Sequence, residues 1–442
     1  MKIKRIALLL LVALFTLLTG CEKIDLSGGK TSEKPTETVK PQDDTVLTVK
    51  TSLSGTEAFR PQGSADPRSD RILEQISAVE KEFGITIQVE TVAADTLAEE
   101  FASNTMAGGK YADVVQTNAL ILTRHYENGT LLTLADAGLT PSESGVLKTA
   151  DGVAYALRPD GWLNPPPSAS FLLFYNEKIF TDGMTETPLA LYEEGYWNWD
   201  NFIKLCADVS GLMPGEIFSF AQPTAEDLSL VWGTLHAHGA RLFDKDGECI
   251  MDSAATRTAF ANLKTLISAN PLYQLGSPVN PEADATAKLA FLNGHTAFYV
   301  GNGAEFFDAA EGSLSDIMRE DLRIIGFPAA AQNATGVTFS TQDAFLGVTA
   351  AANTDLCKKV LPALFAAEEG DDPQKDLIGE YFYHEEDGAL YFDLLKNADT
   401  HSLLWADEHI PTVEELFWNI TNGGSAKEIL SNLQTMFNEG KG

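Results

Sequence analysis

Residues that could do chemistry are scattered along this chain rather than gathered into one motif. His236 and His238 stand two apart, a spacing that can ligate a metal from a strand but is awkward on a helix, and this stretch reads as helix. Asp244, Asp246 and Glu248 echo a calcium loop without its twelve-residue spacing, and with Gly247 between short apolar runs they read as a hairpin turn. There is no Gly-x-Ser-x-Gly elbow, no His-Glu-x-x-His pair and no Gly-x-x-x-x-Gly-Lys loop. The 63 acidic residues leave a glycoside-cleaving carboxylate pair open by count alone, but nothing positive points to an enzyme. The expectation is no catalytic residue, no metal site and no cofactor.

Aromatic surface is the remaining resource, with six tryptophans. Trp162 sits in a loop between Gly161 and Leu163, with no periodic face to explain it. Trp232 falls in the helical stretch 228–235, and Trp405 in Leu403-Leu404-Trp405-Ala406-Asp407, so core packing competes for both. Trp197, Trp199 and Trp418 read as core.

At the start of the chain, Lys2, Lys4 and Arg5 precede an apolar run from Ile6 to Leu18 broken only by Thr16. That run is short of the roughly 20 residues a bilayer span needs, so residues 1–20 read as a signal peptide. Leu18-Thr19-Gly20-Cys21 resembles the lipobox of bacterial lipoproteins, which implies cleavage before Cys21 and a lipid on its sulfur. Residues 21–45 run through Ser, Gly, Lys, Thr, Glu and Pro without apolar periodicity and read as a flexible tether. A net charge of -32 excludes a nucleic-acid footprint and disfavours anionic ligands. Beyond Cys21 the cysteines are Cys206, Cys249 and Cys357, an odd number, so at least one is a free thiol; they read as buried small hydrophobes.

From Thr45 the pattern alternates. Val46, Leu47 and Val49 begin a strand, and residues 71–83 carry Ile72, Leu73, Ile76, Val79 and Phe83 at helical spacing. A strand through Ile85, Ile87 and Val89, a helix near 97–106 and a strand at 112–115 follow. This is the grammar of a parallel sheet with helical crossovers. Beyond Pro165-Pro166-Pro167, residues 171–175 form a continuous apolar strand, and residues 199–209 form a helix opening on Asp200. Two C-terminal helices begin with capping boxes, at Thr412 to Glu415 and Ser425 to Glu428.

Several segments, in order, resemble the extracellular solute-binding proteins of ABC importers, in their sugar-binding group. They are Phe101-Ala102 with Met106 to Val115, then Leu172 to Phe180, Trp197 to Phe202 and Phe291 to Phe298. The likeness spans roughly 45–442. It implies two α/β lobes, each a mostly parallel sheet flanked by helices, closing over a ligand like a flytrap. The lobes would comprise 46–160 with 342–370, and 165–327 with 371–442. The resemblance also implies a sugar or oligosaccharide as ligand, the transmembrane subunits of an ABC permease as partner, attachment to the membrane by lipid, and a monomer. Another small solute (a polyamine, a peptide or a metal) or a sensor kinase as partner stays open.

A sugar offers an apolar ring face and a rim of hydroxyls, so a cleft wants aromatic platforms with Asp, Glu, Asn or Gln beside them. Trp162, Trp232 and Trp405 are the candidate platforms. Glu57 beyond the first strand, Asn118 past Val115, Tyr299 and Asn302 beside Gly301, and Gln342 with Asp343 before Phe345 are the polar ones. Ala304 stands where maltodextrin binders of the family often carry a tryptophan, so a preference for maltose is not inherited.

Overall fold

Alternating burial sets the first strand. In β1 (Val46–Thr51) Leu47, Val49 and Thr51 are buried and the residues between them only partly so. This computed structural model describes residues 45–439 except 63–66, 141–144, 150, 160–161, 163–166, 225–226, 242–243, 245–247, 277–282, 308–312, 331–335, 341, 367–371, 399–415, 417 and 420–423. Cys21, the tether, Trp405 and the Thr412 helix start therefore lie outside the described residues. α1 (Pro67–Phe83) buries Ile72, Ile76 and Val79 and ends at Gly84, whose φ of +65° suits glycine. It leads to β2 (Thr86–Thr91), and α2 (Ala94–Met106) leads to β3 (Val114–Asn118); β2 and β3 flank β1, both parallel to it. α3 (Ala119–Glu127), β4 (Val146–Lys148) and β5 (Ala154–Leu157) follow.

The chain then leaves for a second lobe. β6 (Ala169–Asn176) is its central strand, and Leu172 to Tyr175 are wholly buried because helices cover both faces. α4 (Glu177–Asp182), α5 (Pro188–Glu193), α6 (Trp199–Leu212), α7 (Ser229–Ala237), α8 (Ala254–Ala269) and α9 (Ala287–Leu292) come next. β7 (Phe298–Asn302), α10 (Gly303–Phe307), α11 (Leu314–Ile317), β8 (Leu322–Ile325) and β9 (Thr338–Phe339) complete the outward excursion. β10 (Ala344–Val348), buried throughout, then returns to the first sheet between β3 and β5. α12 (Thr354–Leu364) packs on α1, while α13 (Pro373–Tyr381) and α14 (Glu385–Lys396) pack together and α15 (Ala426–Glu439) packs on α8.

The two-lobed α/β architecture is the one the sequence implies, but the strand directions correct the mostly parallel expectation. The first sheet runs β2-β1-β3-β10-β5-β4, and beyond β3 every pairing is antiparallel. In the second, β7, β8 and β9 all run against β6. The cause is the crossing itself. β10 enters its sheet at the edge where β3 and β5 leave, and β6 leaves the edge to which β7 and β9 return. A strand that enters where its neighbour exits must be antiparallel. One helix start also shifts: α6 is capped by Asn198, whose side chain accepts from the Asn201 N–H, and Asp200 sits in the first turn.

Three apolar clusters fill the layers. Leu47 and Val49 pack with α1 and α12 on one face of the first sheet. α6, α7, α8 and α15 cover the Leu173 and Tyr175 face of the second. The third cluster spans both lobes, from Phe101 and Val115 to Phe174 and Tyr391, and the Phe339 and Phe345 rings meet edge to face at 5.1 Å where the chain crosses. Cys206, Cys249 and Cys357 are all buried, and Cys206 and Cys357 are free thiols.

Candidate functional site

Register places the loops. Asn118 lies opposite Ala344 and Leu157 opposite Leu346, so the ends of β3 and β5 and the start of β10 share one edge of the first sheet. In the second sheet Ser170 pairs with both Asn302 and Thr338, which puts the starts of β6, the end of β7 and β9 at the edge where the chain crosses. Loops at strand ends beside such a crossing are where α/β folds gather ligands.

Asp343 ties the crossing together. One carboxylate oxygen accepts from the Ser168 N–H, the other lies 3.9 Å from Arg158 Nη1, and its backbone carbonyl accepts from the Ala119 N–H at 2.7 Å. Burial pushes its carboxyl up to about 6, against the opposing pull of Arg158 and the Ser168 N–H, and Glu57 adds to the rise. Beside it the Tyr391 hydroxyl donates to the Pro167 carbonyl at 2.5 Å and accepts from the Ala169 N–H at 2.8 Å.

On the second-lobe side of this crossing lies a cavity of about 710 Å³, within the size range of small-molecule sites. Phe171 forms part of its wall in a backbone conformation that few bulky residues adopt, with φ of +62°, at a register shift between Ser170 and Leu172. Such a bulge re-aims a side chain out of the strand's alternation. The Phe171 ring stacks on Trp232, centroids 6.4 Å apart, and on His236 at 5.1 Å. Gly233 lets α7 come close to the sheet, since a Cβ there would lie 2.4 Å from the Phe327 ring.

A polar network forms another wall. Glu305 accepts from the Tyr299 hydroxyl at 3.0 and 3.1 Å and from the Asn302 N–H at 3.3 Å, and pairs with Lys288 Nζ at 2.9 Å. Burial is the main reason the Tyr299 hydroxyl is raised far above its usual value, so it stays a donor at every accessible pH. Thr286 caps α9, and Asp227 accepts the Ser229 N–H at 3.1 Å where α7 begins. Hydroxyls, a carboxylate, an ammonium and an aromatic face thus converge on one space.

The structure brings Tyr299 and Asn302 onto this cavity and sets Trp232 behind Phe171. Glu57, Gln342 and Asp343 fall at the facing edge of the first sheet, the first two exposed and Asp343 held in the crossing. Asn118 is there too, but its oxygen caps α3 by accepting from Ile121 N–H at 2.9 Å. Trp162 is a correction. It is only 6 % exposed, lodged in the first lobe between Phe59 at 5.7 Å and Phe365 at 5.2 Å, because those two rings pack on the indole. Phe171, Asp227, Lys288 and Glu305 were not legible as site residues. Phe171 reads as one more apolar strand position, and only its backbone conformation sets it apart. The other three belong to elements whose edges only pairing reveals.

His238 is engaged structurally, its ring nitrogens meeting the Thr234 carbonyl at 2.7 Å and the Asn262 amide at 2.9 Å. Among the described residues no group of three or more His, Cys, Asp or Glu could hold a metal ion, and no helix is long and apolar enough to cross a membrane.

The family of bacterial extracellular solute-binding proteins matches over residues 74–359. The chain belongs to that family. No curated protein matches it in sequence. Solved structures share the fold at low identity. The bacterial solute receptor AcbH, described with an exclusive preference for β-D-galactopyranose, aligns at TM-score 0.58 and 12% identity, covering 89% of this chain and 96% of its own. The sugar-binding protein MalE from Xanthomonas citri aligns at 0.57 and 14%, covering 89% and 97%. A family 1 extracellular solute-binding protein from Alicyclobacillus acidocaldarius aligns at 0.57 and 15%, covering 89% and 98%.

Proposed function

We propose that this chain captures a sugar or short oligosaccharide at the crossing between its lobes and delivers it to the transmembrane subunits of an ABC permease. The observation that carries the reading is the cavity whose wall pairs the out-turned Phe171, backed by Trp232, with the Tyr299–Glu305–Lys288–Asn302 network. A flat apolar face beside donors and acceptors fits a pyranose ring and its hydroxyls. The sugars named for AcbH and MalE support the same ligand class. In this reading residues 46–160 with 342–370 form one lobe and 165–327 with 371–442 the other. Glu57, Gln342 and Asp343 close on the ligand from the first lobe. Residues 1–20 are removed, Cys21 carries lipid, and residues 21–45 tether a monomer to the outer face of the membrane.

Calorimetric titration of the soluble chain from residue 46 with mono- and oligosaccharides tests the ligand class. Saturable binding that Phe171→Ala weakens at least about fivefold is the expected result, the lower end of losing a buried ring's contact. Failure of every sugar to bind a folded sample would overturn the ligand class. For the anchor, wild type should incorporate labelled lipid and Cys21→Ser should not.

A further inference from the structure

We infer that the site selects a sugar carrying a protonated amino group, with Asp227 as the anionic partner of that group. The inference rests on the sugar-capture reading above and concerns what the same cavity prefers. Three charged side chains line the cavity: Asp227, Lys288 and Glu305. Two cancel each other, since Lys288 pairs with Glu305 at 2.9 Å, and Glu305 is further engaged by the Tyr299 hydroxyl, the Asn302 N–H and its side-chain amide at 3.4 Å. Among the described residues Asp227 has no such partner. Its carboxylate accepts one backbone N–H, from Ser229 at 3.1 Å, and no cationic side chain among the described residues pairs with it.

The chain around Asp227 offers no substitute. In sequence, positions 221–229 read Ala-Gln-Pro-Thr-Ala-Glu-Asp-Leu-Ser, without a lysine, arginine or histidine. A carboxylate on a cavity wall without a cation is costly to desolvate when a neutral ligand covers it, and the cost falls when the ligand brings a positive charge. The wall geometry adds to this, because Phe171 presents an aromatic ring to the same cavity, and a ring face attracts an ammonium. The net charge of -32 draws cations toward the molecule and repels uronates and sugar phosphates. A neutral sugar could use Asp227 only as a hydroxyl acceptor, which leaves its charge in place.

The test titrates the chain from residue 46 at about pH 6, where a sugar amine is charged, with D-galactosamine and D-glucosamine. Each is compared with its N-acetyl form and with the parent galactose or glucose, and putrescine is run beside them. The amino sugar should bind at least about tenfold tighter than its N-acetyl and parent forms, the scale of one charge-assisted hydrogen bond. Asp227→Asn should lower amino-sugar affinity at least about tenfold more than parent-sugar affinity, erasing the preference, and added salt should reduce the preference in wild type alone. Equal affinity for amino and parent sugars overturns the inference and leaves sugar capture standing, as does an Asp227→Asn loss that falls equally on both. Binding of putrescine with no sugar bound overturns both readings.

Discussion

Two aromatic residues divide the work that the sequence assigns to one. Trp162 has an open-loop context yet is packed on Phe59 and Phe365, whereas Phe171 sits in an apolar run yet faces the cavity. Trp162→Ala should therefore cost about 3–5 kcal/mol of folding stability, the range for emptying a buried aromatic position, with the folded fraction binding as wild type. Phe171→Ala should do the reverse, weakening binding more than it lowers the apo melting temperature, because its ring is only partly buried and lines the cavity. Apo melting curves beside calorimetric titrations check both, and exchanged phenotypes would move each residue to the other's place. Asp343 makes a pH prediction. Its folded-state carboxyl titrates at about 6, above the usual value near 3.9, so its contribution is fully present below about pH 4 and is lost as pH rises through 6. Asp343→Asn, which keeps the neutral form's shape, should match wild type in stability at about pH 4 and exceed it by up to about 3 kcal/mol at pH 7. A difference that stays flat across that range would show that the carboxylate is not strained in the crossing.

At the scale of elements, the reading from sequence succeeds where periodicity is local. Leu47, Val49 and Thr51 alternate, and Ile72, Ile76 and Val79 recur on one helix face, and both patterns appear as buried positions. Strand direction was not legible, because it depends on which edge each strand enters, and that follows from two crossings between lobes rather than from any window of residues. The site was half legible for the same reason. Asn302 follows a recognisable Gly301, while Asp227 and Lys288 reach the cavity only once β6 and β7 pair and set α7 and α9 beside them. Gly301 is the element-level constraint. A Cβ there would lie 2.6 Å from both Glu305 Oε1 and Tyr299 Cε1, and Tyr299 is held by its stacks on Phe174 and Phe291. Gly301→Ala should push Glu305 out of its network, costing about 1–3 kcal/mol of stability and lowering ligand affinity at the same time. Titration of a folded Gly301→Ala sample with unchanged affinity would separate β7 from the site.

For the whole molecule, the expectation is closure. A ligand held by the second-lobe cavity and by Glu57, Gln342 and Asp343 across the crossing favours the conformation in which both edges touch it. Saturating sugar should lower the radius of gyration in solution scattering and raise the melting temperature, since only the native state binds. Identical scattering with and without bound sugar would mean that the second-lobe cavity binds alone. The position of β10 has a different consequence, in time rather than space. It is the strand between β3 and β5, yet it follows them only after the whole outward excursion through β6 to β9. As the chain emerges N-terminus first, the first sheet waits with its middle strand missing while β6 to β9 of the second lobe are made. Its β1–β2–β3 part can pair early, but β4 and β5 have no place to dock until β10 arrives. Closing so long a loop is slow relative to local helix formation, so the first sheet cannot be completed before β10 is reached. A first lobe built this way stays incomplete until the chain has been made through β10.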